Sequence, residues 1–71
     1  MKVEEVVSVR AQDVRVGHLV KRYGEWWRVT SIEREPRYDG SDRVTWRVAH
    51  ETEDRRDVFQ TVAHETWAGR R

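Results

Sequence analysis

Alternation of apolar and polar residues is the strongest signal along this chain, and it predicts β-strands. The clearest case is "DRVTWRVAH", in which Val44, Trp46 and Val48 share one parity. Because successive side chains of a strand point to opposite faces, these three residues are predicted to face the core. The polar residues of this strand are predicted to lie on the opposite face: Arg43, Thr45 and Arg47.

Two shorter strands are predicted before residue 25. Val3, Val7 and Val9 have one parity in "VEEVVSV", which indicates a strand over residues 2–10. The segment "AQDVRVG" follows as a turn that closes at Gly17. A second strand, "HLVKR", then enters the turn "YGE", which is short enough to form a hairpin.

The third predicted strand, "EWWRVTSIERE", contains two adjacent tryptophans. Trp27 has the parity of Val29, but Ile32 has the opposite parity. A β-bulge near Thr30 and Ser31 would return Ile32 to the core and bend the strand. We therefore expect one set of residues inside and the other outside. The inner set is Trp27, Val29 and Ile32, and the outer set is Trp26, Arg28 and Arg34.

The second half of the chain supplies two loops and a fifth predicted strand. "EPRYDGSD" holds the only proline and an Asp-Gly pair, which is typical of a loop, and "ETEDRRD" is a charged connection. "DVFQTV" is the fifth strand, although its parity is ambiguous. We expect "AHETWAGRR" to form a short helical turn near the C-terminus, with Trp67 covering an open end of the fold.

Five short strands in one domain, residues 1–71, favour a bent antiparallel meander that closes on itself. The segment "DVRVGHLVKRYGEWWRVTSIE", Asp13 to Glu33, resembles the SH3-like small barrels, including the KOW and Tudor types. The matching features are an Asp-apolar-x-apolar-Gly entry, a short strand, a glycine turn and a W-x-V-x-x-I continuation. The resemblance implies an all-β, SH3-like small barrel of about five strands.

Composition agrees with a compact domain that has no disulfide framework. The 71 residues are 37% apolar and 38% charged, and none is cysteine. The chain opens "MKVEEVVSVR", which lacks the apolar core of a signal peptide, and no run approaches the roughly 20 apolar residues of a membrane span. The sequence therefore predicts a cytoplasmic protein.

Catalytic and metal-binding patterns are weak, so we expect neither an enzyme nor a cofactor. The three serines lie outside any nucleophile motif, and no glycine-rich phosphate loop is present. His18, His50 and His64 lack the paired spacing of metal ligands, although His50 and His64 could meet at one end of a barrel. Histidines on the surface or at strand ends are the expected interpretation.

Aromatic and basic residues form the best candidate for a functional site. The net charge is only +1, but residues 14–47 hold eight basic and five acidic groups. If the third and fourth strands pair, Trp26 and Arg28 would join Arg43 and Arg47 in a stacking platform surrounded by guanidinium groups. Four further residues could extend this surface: Lys21, Arg22, Arg37 and Tyr38. The leading hypothesis is a non-catalytic module that binds DNA or RNA.

Three alternatives remain open from the sequence. Trp26 could simply cover the barrel wall beneath arginine stems. The same tryptophan and arginines would also suit a protein partner, which would make the chain a small adaptor or inhibitor encoded by a bacterium or a phage. The third alternative is self-association, in which the valine-rich N-terminal strand, with Val6 on its opposite face, pairs with a second copy.

Overall fold

A computed structural model describes residues 5–70 of the chain. It contains six strands: β1 Val7–Arg10, β2 Leu19–Arg22, β3 Glu25–Pro36, β4 Asp42–His50, β5 Arg56–Val62 and β6 Thr66–Arg70. A single 3₁₀ turn, Ala11–Asp13, follows β1. The all-β prediction is confirmed. The predicted first strand over residues 2–10 begins at Val7 within the described part, and residues 2–4 lie outside it.

The predicted helical turn near the C-terminus is wrong, because that segment is a sixth strand. β6 lies between β1 and β2, in the sheet order β1-β6-β2-β3-β4-β5 with all neighbours antiparallel. Gly69 is its critical residue, since a Cβ there would lie 2.8 Å from Cγ1 of Val9. Backbone hydrogen bonds with β1 and β2 on both sides hold the segment extended, which local propensity alone does not indicate.

The predicted β-bulge in β3 is confirmed. The register with β4 shifts between Val29 and Ser31, so Ile32 opposite Trp46 returns to the inner face. A bulge bends and twists its strand, and here it allows the six strands to curl around one core. The tight turn after β2 is also confirmed: Tyr23 and Gly24 both have positive φ, as a two-residue type I′ hairpin requires.

The core consists of valines and aromatic rings. Trp27 and Trp46 are buried, as the alternation predicted, and Phe59 of β5 lies 5.5 Å from the Trp27 ring. Trp67 is half-buried on β6 and packs edge-on against Trp46 at 4.9 Å. The buried apolar side chains that complete this cluster are Ala11, Val14, Val20, Val29, Val44 and Val48.

The hairpin of β3 and β4 extends beyond the core as an arm. Most of its far part, residues 33–43, is exposed, and the molecule measures 47 × 24 × 19 Å. At the tip, Asp39 accepts hydrogen bonds from the backbone N–H and the hydroxyl of Ser41. Arg34 has the inner parity that the bulge gives it, but it is exposed on this arm and donates a hydrogen bond to the Gln12 carbonyl.

Candidate nucleic-acid interface

The outer face of β3, β4 and β5 gathers three arginines around one small residue. Arg28 and Arg56 flank Ala49 in the same cross-strand row, which places their backbones about 10 Å apart. Arg47 is two residues before Ala49 on β4 and so shares its face. We call this set, Arg28, Arg47 and Arg56, the arginine face.

The arginine face carries charge that the protein does not neutralise. All three side chains are exposed, and Arg28 donates one hydrogen bond, to the Gly17 carbonyl at 2.9 Å. Within residues 5–70, neither Arg47 nor Arg56 forms an ion pair or a side-chain hydrogen bond. The arginines that do form ion pairs in this part of the chain lie elsewhere: Arg37, Arg55 and Arg70.

Arg43 extends the same outer face toward the arm, where the charge becomes mixed. It lies opposite Glu35, and Glu33 lies opposite Thr45 in the row between Arg43 and Arg47. The two carboxylates lower the positive potential at this end. The positive charge is therefore most concentrated between Ala49 and Arg47, because neither the row of Ala49 nor the next outer row, Ser31, Arg47 and Val58, contains a carboxylate.

Trp26 lies on the outer side of β3, opposite Lys21 of β2, but it is half-buried and not an open platform. The Arg70 guanidinium lies over the Trp26 ring, 4.4 Å from its centroid, and the Lys21 ammonium is 6.0 Å away. Arg70 is itself buried and forms an ion pair with Glu51. Cation–π contacts of this kind hold the ring against the barrel wall.

The remaining predicted site residues lie in other places. Arg22 has the inner parity of Val20, and its guanidinium lies at the mouth of the barrel against Phe59 and Trp67. Arg37 and Tyr38 lie at the tip of the arm, about 30 Å along β3 from Arg28. The structure thus brings Arg28, Arg43 and Arg47 to one face, with Trp26 at its end.

Arg56 is the member of the arginine face that sequence reasoning missed. The sequence pattern assigns Arg56 to the charged connection "ETEDRRD", and it leaves the parity of the following strand ambiguous. The pairing of Trp46 with Phe59 resolves that parity, because it places Phe59 inside and therefore Arg56, Val58 and Gln60 outside. Phe59, the one aromatic residue of β5, was the available signal.

A second polar cluster closes the end of the barrel near the β4–β5 connection. Nε2 of His50 lies 3.2 Å from a Glu25 carboxylate oxygen, and Nδ1 accepts backbone N–H groups of Thr52 and Glu53 at 3.2 and 3.0 Å. Arg55 forms ion pairs with both Glu25 and Glu53. His50 and Arg55 therefore brace the connection against the start of β3.

Three potential metal ligands of this cluster, Glu25, His50 and Glu53, have donor atoms within 4.8 Å of one another. Both carboxylates already form ion pairs with the Arg55 guanidinium. The hydrogen bond from Arg55 is the main cause that holds the pKa of Glu25 below its ordinary value, with a smaller contribution from His50. The cluster is thus organised as an ion-pair network.

Comparison with known proteins identifies the class of fold. No protein-family profile and no curated protein sequence matches the chain. The chain is similar in structure to "Eukaryotic translation initiation factor 5A from Methanococcus jannaschii", with a TM-score of 0.80 and 16% sequence identity. The match covers 89% of this chain and 48% of that one, so this chain spans about half the length of the factor.

The structural match defines the molecule as a small β-barrel domain. At 16% identity the likeness concerns the fold alone. The narrower resemblance to KOW and Tudor barrels stays a prediction. Among residues 5–70, no helix is long and apolar enough to cross a membrane.

Proposed function

We propose that this protein is a non-catalytic module that binds nucleic acid through the outer face of β3, β4 and β5. The observation that carries the proposal is the arginine face, where three exposed guanidinium groups surround Ala49 without a carboxylate partner in the described part of the chain. Guanidinium groups form paired hydrogen bonds with phosphate oxygens, and such contacts supply most of the affinity for a nucleic-acid backbone.

The arrangement favours recognition of the backbone. The arginines lie on rigid strands, and the neighbouring outer residues are small or uncharged: Thr30, Ser31, Ala49 and Val58. Trp26 lies half-buried at one end of the face, beside Lys21, and Arg43 lies at the other end. A nucleic-acid strand would thus cross the sheet from Trp26 toward Arg43, with phosphates near Arg28, Arg47 and Arg56.

The fold is compatible with this function. The structurally similar protein is a translation initiation factor, so a barrel of this shape occurs in a protein of the translation apparatus. Because fold alone does not define function, the proposal depends on the arginine face and not on this likeness.

The decisive experiment is a titration with labelled single-stranded RNA, single-stranded DNA and duplexes between about 50 and 200 mM salt. We expect binding that weakens with salt. The combined variant Arg28→Ala, Arg47→Ala and Arg56→Ala should reduce the slope of log K against log salt by about 2 for a single strand, since each phosphate contact contributes about 0.7.

A matched control is available in Arg10 and Arg15, which are exposed outside β3, β4 and β5. The double variant Arg10→Ala and Arg15→Ala removes two positive charges, as does the double variant Arg47→Ala and Arg56→Ala, but it should leave most of the affinity intact. An equal loss of affinity in the two variants would mean that total charge matters and not the arginine face. Absence of binding to every oligonucleotide would reject the proposal.

A protein partner is the second candidate, and one observation favours it. Tyr38 is fully exposed at the tip of the arm, beside Arg37, and both residue types are enriched at the centres of protein interfaces. An adaptor or inhibitor would present this tip to a larger protein. Tyr38→Ala should then abolish capture of the partner while it leaves binding to oligonucleotides unchanged.

A further inference from the structure

The mouth of the barrel contains a pocket that is separate from the arginine face. It has a volume of about 450 Å³, within the range of roughly 300–1,000 Å³ that is usual for small-ligand sites. Arg22 of β2 and Arg43 of β4 line it together with Trp67 of β6. None of the three arginines around Ala49 contributes to this lining.

Arg22 makes the interior of this pocket positive. Its guanidinium carbon lies 5.0 Å from the Phe59 centroid, 5.4 Å from Trp67 and 5.1 Å from Tyr23. The three rings therefore already hold a cation that belongs to the protein. The Arg22 guanidinium would repel a cationic ligand, whereas it would attract an anionic ligand.

The N–H groups of the Arg22 guanidinium are available as hydrogen-bond donors to a ligand. Arg22 is half-buried, and no carboxylate or carbonyl among residues 5–70 accepts a hydrogen bond from its side chain. A guanidinium carries five N–H donors, and partial burial limits the water that can satisfy them. Arg43 adds a second free guanidinium to the lining, and Glu65 is the one carboxylate there.

We propose that this pocket is a binding site for a phosphate monoester. Two guanidinium groups against one carboxylate leave a net positive charge in the lining. A phosphate monoester carries about −1.5 to −2 charges at neutral pH and has three acceptor oxygens, so it can engage both arginines and outweigh the repulsion from Glu65. A monocarboxylate has too little charge to do both.

The phosphate could belong to a free nucleotide or to the end of a nucleic-acid strand, and the recognised chemistry is the same. The site does not depend on the proposed function, because Arg22 and Arg43 can bind a phosphate whether or not the arginine face binds a nucleic-acid backbone. The two proposals can therefore fail independently.

The test is an NMR titration of the ¹⁵N-labelled full chain with adenosine 5′-monophosphate, inorganic phosphate and adenosine at constant ionic strength. The reporter is the Trp67 indole N–H, which donates to the Thr61 hydroxyl at 3.1 Å inside the pocket lining. We expect both phosphate compounds to shift this signal and adenosine to leave it in place. No shift with the monophosphate, or an equal shift with adenosine, would overturn the proposal.

Variants locate the bound phosphate. Arg43→Ala removes an exposed guanidinium and should weaken binding of the monophosphate roughly tenfold, as expected for loss of a charged hydrogen bond. Arg22→Met keeps an apolar stem against the rings and should have a similar effect. Glu65→Gln should tighten binding, and Arg15→Ala, at an exposed position outside the pocket, should leave it unchanged. If Arg43→Ala, which leaves the core untouched, does not reduce affinity, the pocket is not the site.

Two oligonucleotides distinguish the sources of the phosphate. A single strand with a 5′-phosphate is compared with the same strand that ends in a hydroxyl, each against the intact chain and the Arg43→Ala variant. Tighter binding of the phosphorylated strand that depends on Arg43 identifies a strand end as the ligand. If the two strands bind with equal affinity while adenosine 5′-monophosphate still binds to the pocket, the ligand is a free phosphate ester and not a strand end.

Discussion

The two faces of the β3–β4 hairpin differ in almost every property, although their residues alternate along the same two strands. On the inner face, Trp27, Val29 and Trp46 are at most 4% exposed. On the outer face, Arg28 and Arg47 are exposed and unneutralised. The contrast teaches that the residues that stabilise the core alternate with those that carry the proposed binding, so we expect each set to be changeable with little effect on the other.

The adjacent tryptophans show this contrast within one dipeptide. Trp27 is enclosed by Phe59 and His50, and its indole N–H donates to the Arg22 carbonyl at 3.2 Å. Trp26 has the same chemistry but is half-buried on the outer side, with the Arg70 guanidinium over its ring. Parity alone decides which ring supports the core and which lies on the outside.

The largest expected effect is truncation on the inner face. Trp46→Ala should lower the free energy of unfolding by ~3–5 kcal/mol, because it empties a fully buried aromatic site. Trp26→Ala should cost ~1–2 kcal/mol, since a half-buried ring loses part of its contacts and a cation–π interaction. Urea denaturation of both variants measures their free energies of unfolding. Equal losses of free energy would contradict the conclusion that the inner face, and not the outer face, stabilises the fold.

A finer comparison lies within the inner face. Trp27→Phe and Trp46→Phe remove the same atoms, but Trp27 loses a hydrogen bond to the Arg22 carbonyl. The Trp46 indole N–H is buried and has no acceptor among the described residues, so its removal relieves an unpaired donor. We expect Trp27→Phe to cost about 1 kcal/mol more than Trp46→Phe. Similar costs in urea denaturation would mean that the hydrogen bond contributes little.

Acid should weaken the ion-pair end of the barrel. The pKa of Glu25 is lowered in the folded protein, chiefly by the hydrogen bond from Arg55, so its carboxylate binds protons more readily when the chain unfolds. The contribution of Glu25 to the free energy of unfolding is complete above its pKa in the unfolded chain. It is lost as the pH falls through its lower pKa in the folded protein. The melting temperature should therefore decrease when the pH is lowered from about 5 toward 3.

The matching variant for the acid prediction is Glu25→Gln, which cannot ionise. Its melting temperature should be lower than that of the parent at neutral pH, and the difference should shrink toward about pH 3. Glu33→Gln, on the exposed arm and without an ion pair among residues 5–70, is the control and should follow the parent curve. A constant difference between Glu25→Gln and the parent at all pH values would contradict the linkage.

The smallest expected effect on stability comes from the outer face. Arg47→Ala and Arg56→Ala should each change the free energy of unfolding by no more than about 0.5 kcal/mol, because neither side chain is buried or paired. The same variants are expected to reduce the salt dependence of nucleic-acid binding. A loss of stability comparable to that of Trp26→Ala would show that these arginines support the fold.

Most of the sheet could be predicted from the sequence because the relevant signal is local. The period of two in β4 identified Trp46 as a core residue, and the change of parity in β3 located the bulge before Ile32. These patterns require only that one face of a strand is buried. Of the candidate site, the same alternation placed Arg28, Arg43 and Arg47 on the outer face.

The parts that could not be predicted depend on contacts between distant segments. Gly69 and its neighbours have little strand preference, and they are extended because β1 and β2 bind them on both sides. Arg56 lies on the arginine face because the pairing of Trp46 with Phe59 fixes the register of β5. Arg22 lies at the mouth of the barrel because its guanidinium packs against Phe59 and Trp67.

By itself, the sequence determined which side of each long strand is apolar, because burial of that side is the dominant local constraint on a short chain. Only the tertiary structure decided how those strands are ordered and which charges become neighbours. Arg55 meets Glu25 across 30 positions of sequence, while Arg28 and Arg56 meet no carboxylate within the described residues. Whether two distant charged residues become neighbours depends on the register of the strands and the curvature of the sheet, which a short segment of sequence does not determine.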